Sequence, residues 1–123
     1  MLVVDDEPFI CSAIQRLLRR DHVVTTVTSA QEALALVQAG QRFDVILSDL
    51  MMPEMSGEDL LAALREVAPD QARRLVIMTG GAFTPRSEDF LRSLDLPPLT
   101  KPLTLESLRA AIRRALETAA AAA

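Results

Sequence analysis

Short runs of apolar residues recur along the chain, with helical patterns between them. The runs are three to five residues long and lie at Leu2–Val4, Val23–Val27, Val45–Leu47, Leu75–Met78 and, more weakly, Pro98–Thr100. Those at 45–47 and 75–78 are apolar without alternation, which is typical of strands buried on both faces of a parallel sheet. The pattern therefore predicts five strands.

The intervals between these strands carry helix start signals. Ser29 and Glu32 have the spacing of a capping box. Ser56 is an N-cap serine shortly before two acids, and Thr84 is an N-cap threonine directly before Pro85. A first helix is predicted from about Pro8 to Arg20. A last helix opens at Thr104, with an apolar stripe at Leu105, Leu108, Ile112 and Leu116.

Strands and helices thus alternate five times with short turns, which predicts an α/β domain. Right-handed crossovers between parallel strands give a doubly wound sheet. In such a sheet, the ligand site lies at the carboxyl ends of the strands. A length of 123 residues suits one domain with its own core.

Composition narrows the function classes. Half of the residues are hydrophobic and 24% are charged, an ordinary balance for a soluble domain. A net charge of −4 gives no reason to expect direct nucleic-acid binding. The single cysteine, Cys11, cannot form an internal disulfide, which fits a reducing cytoplasm. No apolar run or leader predicts a membrane span or a signal peptide, so we expect no direct membrane contact.

Chemically active side chains follow four of the five predicted strands. Taken singly, an aspartate after a strand is more often a helix cap, a threonine more often fills a turn, and a lysine more often lies in solvent. Together they supply carboxylates for a hard cation such as Mg²⁺, a hydroxyl, and the only lysine among 13 basic residues. The set, Asp5, Asp6, Asp49, Thr79 and Lys101, is suited to receiving a phosphoryl group.

Four segments carry a family resemblance: VVDDEP, DVILSDLMMPEMSG, VIMTGG and TKPL. In order and spacing the chain resembles, over essentially its whole length, the receiver domain of two-component response regulators. The resemblance implies a flavodoxin-like, doubly wound, five-stranded parallel sheet of strand order 2-1-3-4-5 with five helices. It places the receiver domain at residues 1–118 and leaves 119–123 as an Ala-rich tail or helix end.

The resemblance also implies a phosphorylation site and its metal. Asp49 matches the phospho-accepting aspartate. Asp5 and Asp6 match the acidic pair that holds Mg²⁺ or Mn²⁺, with Asp6 the better candidate for direct ligation. Met51 occupies the position whose backbone carbonyl completes the metal site.

The switch residues match the family only in part. Thr79 matches the switch hydroxyl, and Lys101, in a bond to Pro102 that resembles the family's cis peptide, matches the lysine that pairs with the phosphoryl oxygens. The family usually has an aromatic residue three positions before this lysine, where this chain has Pro98. The glycines at 80 and 81 are therefore expected to carry more of the movement. Phe83 is an alternative moving group, although a phenylalanine near a helix start is more often a core residue.

The function implied is signalling rather than enzymatic turnover. A histidine kinase or its phosphohistidine domain would transfer a phosphoryl group to Asp49 in a Mg²⁺-dependent reaction. The domain, catalysing only its own phosphorylation and dephosphorylation, would then signal to a partner or attached domain in the cytoplasm. The face formed by the fourth helix, fifth strand and fifth helix is a candidate output or homodimer surface. The segment MTGGAFTPRSEDFL and the missing aromatic are similar to receivers of hybrid sensor histidine kinases; a free-standing regulator is the alternative.

Three other functions use a similar fold or a similar set of residues, and the sequence fits each of them less well. A Mg²⁺-dependent phosphohydrolase with an aspartyl nucleophile would usually have a second aspartate two positions after Asp49, where this chain has Met51. A binding module that has lost phosphorylation would not be expected to keep every chemical part. A nucleotide-binding flavodoxin-like protein would need a Gly-rich loop before the first helix, and the sequence has none there.

Overall fold

Strands and helices alternate along nearly the whole chain. The structure, a computed structural model, describes residues 1–81 and 84–122, so the hypothesis on Phe83 lies outside the described residues. In chain order the described elements are β1 (Leu2–Val4), α1 (Pro8–Leu18), β2 (Thr25–Val27), α2 (Ala30–Gln38), β3 (Ile46–Asp49), α3 (Gly57–Val67), α4 (Pro69–Ala72), β4 (Leu75–Thr79), α5 (Pro85–Arg92), β5 (Leu99–Thr100) and α6 (Leu105–Ala122). Among these described residues, no helix is both long enough and apolar enough to span a bilayer.

The five strands form one parallel sheet in the order β2-β1-β3-β4-β5, which confirms the predicted flavodoxin-like topology. Every residue of β1, β3 and β4 is buried, as expected for central strands covered on both faces. One core lies between the sheet and α2, α3 and α5, and includes Val37, Leu60 and Phe90. The other lies beneath α1 and α6 and includes Ile14 and Leu108.

The prediction of five helices is wrong by one short helix. After α3 the chain turns at Ala68, which has φ −155° and ψ 75°. This conformation is outside the helical region, as expected before a proline, because the proline ring disfavours helical backbone at the preceding position. Pro69 then begins α4, where its fixed φ suits a first helical turn.

Two predictions differ from the structure in detail, one on the start of a strand and one on the buried face of a helix. β2 begins at Thr25 rather than at Val23, whose side chain is 87% exposed. In α6 the predicted stripe is wrong at Leu116, which is 39% exposed. The neighbouring Ala115 is buried instead, since helical spacing from Ile112 carries the inward face through it.

The helix caps form largely where the sequence places them. Ser56 and Thr84 each form a complete capping box, with Asp59 and Ser87 respectively. At α2, the Ser29 hydroxyl accepts from the Glu32 N–H, but the Glu32 carboxylate accepts from Thr28 N–H at 3.2 Å. The predicted capping box therefore forms only in part, because the Glu32 carboxylate binds the N–H of Thr28 and not the N–H of the N-cap residue Ser29.

The outer edge of β2 is partly covered by side chains from the helices beside it. Gln15 Nε2 on α1 donates to the Val24 carbonyl at 3.1 Å. The Glu32 carboxylate on α2 occupies the Thr28 N–H just beyond the other end of the strand. Side chains thus satisfy polar backbone groups that flank an edge strand, where a neighbouring strand would otherwise bond.

The short helix α4 is joined to the segment before β3 by a buried glutamine. The side chain of Gln71 accepts a hydrogen bond from Phe43 N–H at 2.8 Å and donates one to the Phe43 carbonyl at 3.2 Å. Gln71 is 2% exposed, so these bonds satisfy backbone groups that water does not reach.

We expect Gln71→Ala to lower the free energy of unfolding by about 1–3 kcal/mol, because it leaves both polar groups of Phe43 buried without a partner. Urea unfolding followed by circular dichroism measures the change. Gln38→Ala makes the same side-chain change at an exposed position on α2 and should stay within about 0.5 kcal/mol of wild type. Equal losses in the two variants would contradict the role given to Gln71.

Candidate functional site

The carboxyl ends of β1, β3, β4 and β5 meet at one edge of the sheet. Asp5 directly follows β1, Asp49 and Thr79 end β3 and β4, and Lys101 directly follows β5. Backbone pairing fixes these ends relative to one another: Asp49 is level with Met78, and Lys101 N–H donates to the Thr79 carbonyl at 2.8 Å. The topology therefore brings the predicted residues to one place.

Three carboxylates form a compact acidic cluster at this edge. One side-chain oxygen from each of Asp5, Asp6 and Asp49 lies within 4.8 Å of the other two. Asp5 is fully buried, Asp49 is 7% exposed, and Asp6 is exposed to solvent. Hard carboxylate oxygens at this separation fit Mg²⁺ or Mn²⁺, because a cation relieves their repulsion.

Lys101 bridges two members of the cluster. Its ammonium nitrogen lies 3.2 Å from Asp5 Oδ2 and 3.4 Å from Asp49 Oδ1. A compact ammonium can contact two carboxylates at once and still leave the exposed side of the cluster open. The larger, planar guanidinium of an arginine is less suited to this position. The Lys101–Pro102 peptide bond is cis, as predicted.

Asp5 and Asp6 differ in how their carboxylates are engaged. Asp5 Oδ1 accepts from Glu7 N–H at 2.9 Å, and Asp5 Oδ2 accepts from Lys101. Both Asp5 oxygens therefore already have a donor, whereas Asp6 faces solvent within the same cluster. This difference favours Asp6 over Asp5 for direct contact with an ion.

Thr79 lies beside the cluster and is 3% exposed. Its hydroxyl oxygen accepts a hydrogen bond from Gly81 N–H at 3.2 Å, and Gly81 has a φ of 89°, which glycine adopts readily. Among the described residues, no hydrogen bond joins Thr79 to the acidic cluster. Met51 has a 70% exposed side chain, and the assignment of its carbonyl to a metal stays a prediction.

The environment of the cluster shifts two pKa values. Burial, and then the nearby charge of Asp5, raise the pKa of Asp49 to about 6, although Lys101 acts in the opposite direction. Burial alone would lower the pKa of Lys101, but the charges of Asp49 and Asp5 outweigh it and the pKa is raised. At neutral pH Lys101 is therefore an ammonium, and Asp49 is mostly a carboxylate.

Two residues beside Asp49 were not predicted from the sequence. Gly57, at the start of α3, lies so close that a Cβ there would be 2.6 Å from the Asp49 carbonyl oxygen. Ser48 is fully buried, and its hydroxyl donates to the same carbonyl at 3.1 Å. The signals available were a glycine at a helix start and a hydroxyl within an apolar strand, and neither carries a role without the packing around it.

Comparison with known proteins gives a consistent result. A family model described as "Response regulator receiver domain" matches residues 1–113. The transcriptional regulatory protein ZraR of Escherichia coli (strain K12) is 36% identical over 118 residues, covering 94% of this chain and 26% of that protein. The sensor kinase CckA of Brucella abortus (strain 2308) is 29% identical over 118 residues, covering 95% of this chain and 12% of that protein. The chain thus spans about a quarter or less of these relatives.

A solved structure shows the same similarity in three dimensions. A response regulator receiver domain protein from Clostridium thermocellum superposes with a TM-score of 0.85 at 30% sequence identity. The match covers 99% of this chain and 97% of that one. Fold and sequence therefore agree over nearly the entire length.

The raised pKa of Asp49 predicts an unusual pH dependence of stability in Mg²⁺-free buffer. The folded protein binds the proton of the Asp49 carboxyl more tightly than the unfolded chain does. Protonation of Asp49 therefore contributes to stability fully below pH 3.8, and this contribution is lost as the pH rises to about 6. Asp49→Asn should remove this component, so that the variant gains about 1–3 kcal/mol on wild type between those pH values. Urea unfolding at several pH values with a chelator present measures the difference. Parallel pH profiles for the two proteins would contradict the shift.

Proposed function

This chain belongs to the response regulator receiver domain family, and on that basis we propose that it accepts a phosphoryl group on Asp49 and signals by a change of conformation. The observation that carries the proposal is the contact of Asp49 with Lys101 inside an acidic cluster at the strand ends. The same group of residues supplies a nucleophile, a fixed positive charge and ligands for a cation.

The chemistry expected at Asp49 is a single phosphoryl transfer. A carboxylate oxygen of Asp49 attacks the phosphorus of a phosphohistidine, the P–N bond breaks, and the histidine leaves as an imidazole. With a pKa of about 6, Asp49 is mostly ionised at neutral pH and can act as the nucleophile. Lys101, 3.4 Å away, stays charged and offsets the negative charge that collects on the phosphoryl oxygens.

A divalent cation, Mg²⁺ or Mn²⁺, would be held by Asp6 and Asp49, with Asp5 beside them and the Met51 carbonyl as a further ligand. When bound, the ion would supply positive charge to the transferring phosphoryl oxygens. The chain's own contribution is the placement of its carboxylates, in which Asp5 holds Lys101 and the exposed Asp6 faces solvent.

The conformational change would begin at Thr79 and its neighbouring glycines. A phosphoryl group adds roughly two negative charges and new acceptor oxygens, to which the Thr79 hydroxyl can donate. Gly81 N–H bonds to the same hydroxyl, so movement of Thr79 would carry this glycine turn with it. Because Pro98 has no aromatic side chain that could rotate, the signal would reach the surface formed by α5, β5 and α6 through backbone displacement.

The phosphoryl donor is proposed to be a histidine kinase or its phosphohistidine domain. The exposed surface of α1 is a candidate docking surface for it, because Phe9 there is 73% exposed beside the site and Arg16 and Arg19 are exposed further along. A homodimer through α5, β5 and α6 stays a prediction, as does attachment to a hybrid kinase, since the relatives named above include both a transcriptional regulator and a sensor kinase.

We expect incubation with acetyl phosphate and Mg²⁺ to add the mass of one phosphoryl group, because Asp49 is an ionised nucleophile beside a fixed ammonium. Intact-protein mass spectrometry measures the gain, and Asp49→Asn should abolish it. A wild-type protein that gains no mass would favour a binding module without phosphorylation. A continuous release of phosphate from many substrates, without a lasting adduct, would favour a phosphohydrolase.

A second prediction concerns the cation. Millimolar-range Mg²⁺ should raise the melting temperature, because an ion that binds only the folded state stabilises it by mass action and relieves carboxylate repulsion. Asp6→Asn should lose most of this increase. Asp95→Asn, which removes one charge from an exposed position, should keep it. An undiminished increase in the Asp6 variant would place the ion elsewhere.

A further inference from the structure

Ser48 is a hydroxyl among aliphatic side chains on the face of the sheet beneath α3. Its neighbours across the sheet are Val4 on β1 and Ile77 on β4, both buried members of the core beneath α2, α3 and α5. Ser48 itself is fully buried, so its hydroxyl would be unfavourable there without a hydrogen-bond partner. Its partner is the carbonyl of the next residue, Asp49, at 3.1 Å.

The two peptide groups that follow Asp49 and Leu50 are held on several sides. Leu50 N–H donates to the Met78 carbonyl at 2.9 Å, and Gly57 N–H donates to the Leu50 carbonyl at 2.9 Å. The start of α3 closes against the Asp49 carbonyl oxygen, since a Cβ at Gly57 would come within 2.6 Å of it. In this confined space, the Ser48 hydroxyl is the side-chain donor to that oxygen.

From these contacts we propose that Ser48 is a positioning residue for the phospho-acceptor, which rests on the function proposed above. By holding the Asp49 carbonyl, Ser48 fixes the plane of the peptide group next to the Asp49 Cα, which carries the side chain. That plane determines where the carboxylate lies relative to Lys101 and the acidic cluster. Ser48 does not touch the reacting atoms and acts through Asp49.

The proposal also explains the residue type at this position. An aliphatic side chain would fill the apolar row but would leave the Asp49 carbonyl without this donor. A polar side chain longer than serine or threonine, such as glutamine, would press on the start of α3, where a Cβ at Gly57 would already lie 2.6 Å from the Asp49 carbonyl oxygen and 3.1 Å from Ile77 Cδ1. A serine hydroxyl meets both constraints, and threonine keeps the same donor.

The test compares three variants with wild type. Ser48→Ala removes the donor, Ser48→Thr retains it, and Ile77→Val removes one methylene from the neighbouring position in the same row without changing any polar group. Initial rates of Asp49 phosphorylation by acetyl phosphate are measured by mass spectrometry at a temperature where all variants are folded. Because small misplacements of a reacting group slow a reaction strongly, Ser48→Ala should be slower by on the order of tenfold or more. Ser48→Thr and Ile77→Val should react at close to the wild-type rate.

A second readout does not depend on phosphorylation. The amide NMR signals of Leu50 and Gly57 report the peptide groups around Asp49, and they should shift in Ser48→Ala and stay near wild type in Ser48→Thr. If wild type gained no phosphoryl group, the proposed function would fail while these signals still tested Ser48. Equal rates for Ser48→Ala and Ile77→Val, a threonine variant as slow as the alanine variant, or unshifted amides would each overturn the proposal.

Discussion

The contact of one ammonium with two carboxylates is the interaction on which the site depends. Asp5 and Asp49 are both buried, and each would be unfavourable as an anion without a nearby cation. Lys101 supplies that cation from the end of β5, a strand of only two residues. The contact therefore requires that β1, β3 and β5 end within about two residues of one another, which the parallel register through β4 ensures. The geometry of the site therefore depends directly on the register of the sheet.

Much of this arrangement could be predicted from the sequence, because it follows from positions along the strands. Asp5, Asp49, Thr79 and Lys101 stand directly at strand ends, and a parallel sheet brings such ends together whatever the details of packing. The order of the strands came from the family resemblance, which rests on motifs around the same residues. The fold was therefore predictable around the site, because the chemically active residues there directly follow the apolar runs that form the strands.

The features that were not predicted depend on contacts between distant segments. Gln71 pairs with Phe43 across 28 positions of sequence, and nothing local distinguishes it from an exposed glutamine. Leu116 was predicted to continue the apolar stripe of the last helix, four residues after Ile112, yet the buried face of α6 passes through Ala115. Gly57 and Ser48 owe their importance to a single carbonyl oxygen, whose position exists only in the folded chain. The spacing of apolar residues predicts which face of a helix or strand a side chain lies on, but it does not give the distances between elements.

The open edges of the sheet have a consequence for how crowded copies of this domain behave. An open parallel sheet has two edge strands, and an unprotected edge can template fibrous self-association. At one edge, Gln15 and Glu32 occupy backbone groups flanking β2. At the other, β5 is two residues long, and Pro98 directly before it has no N–H to offer a further strand. Both edges are thus poor templates for strand addition, which favours colloidal stability where many copies of the domain are held close together.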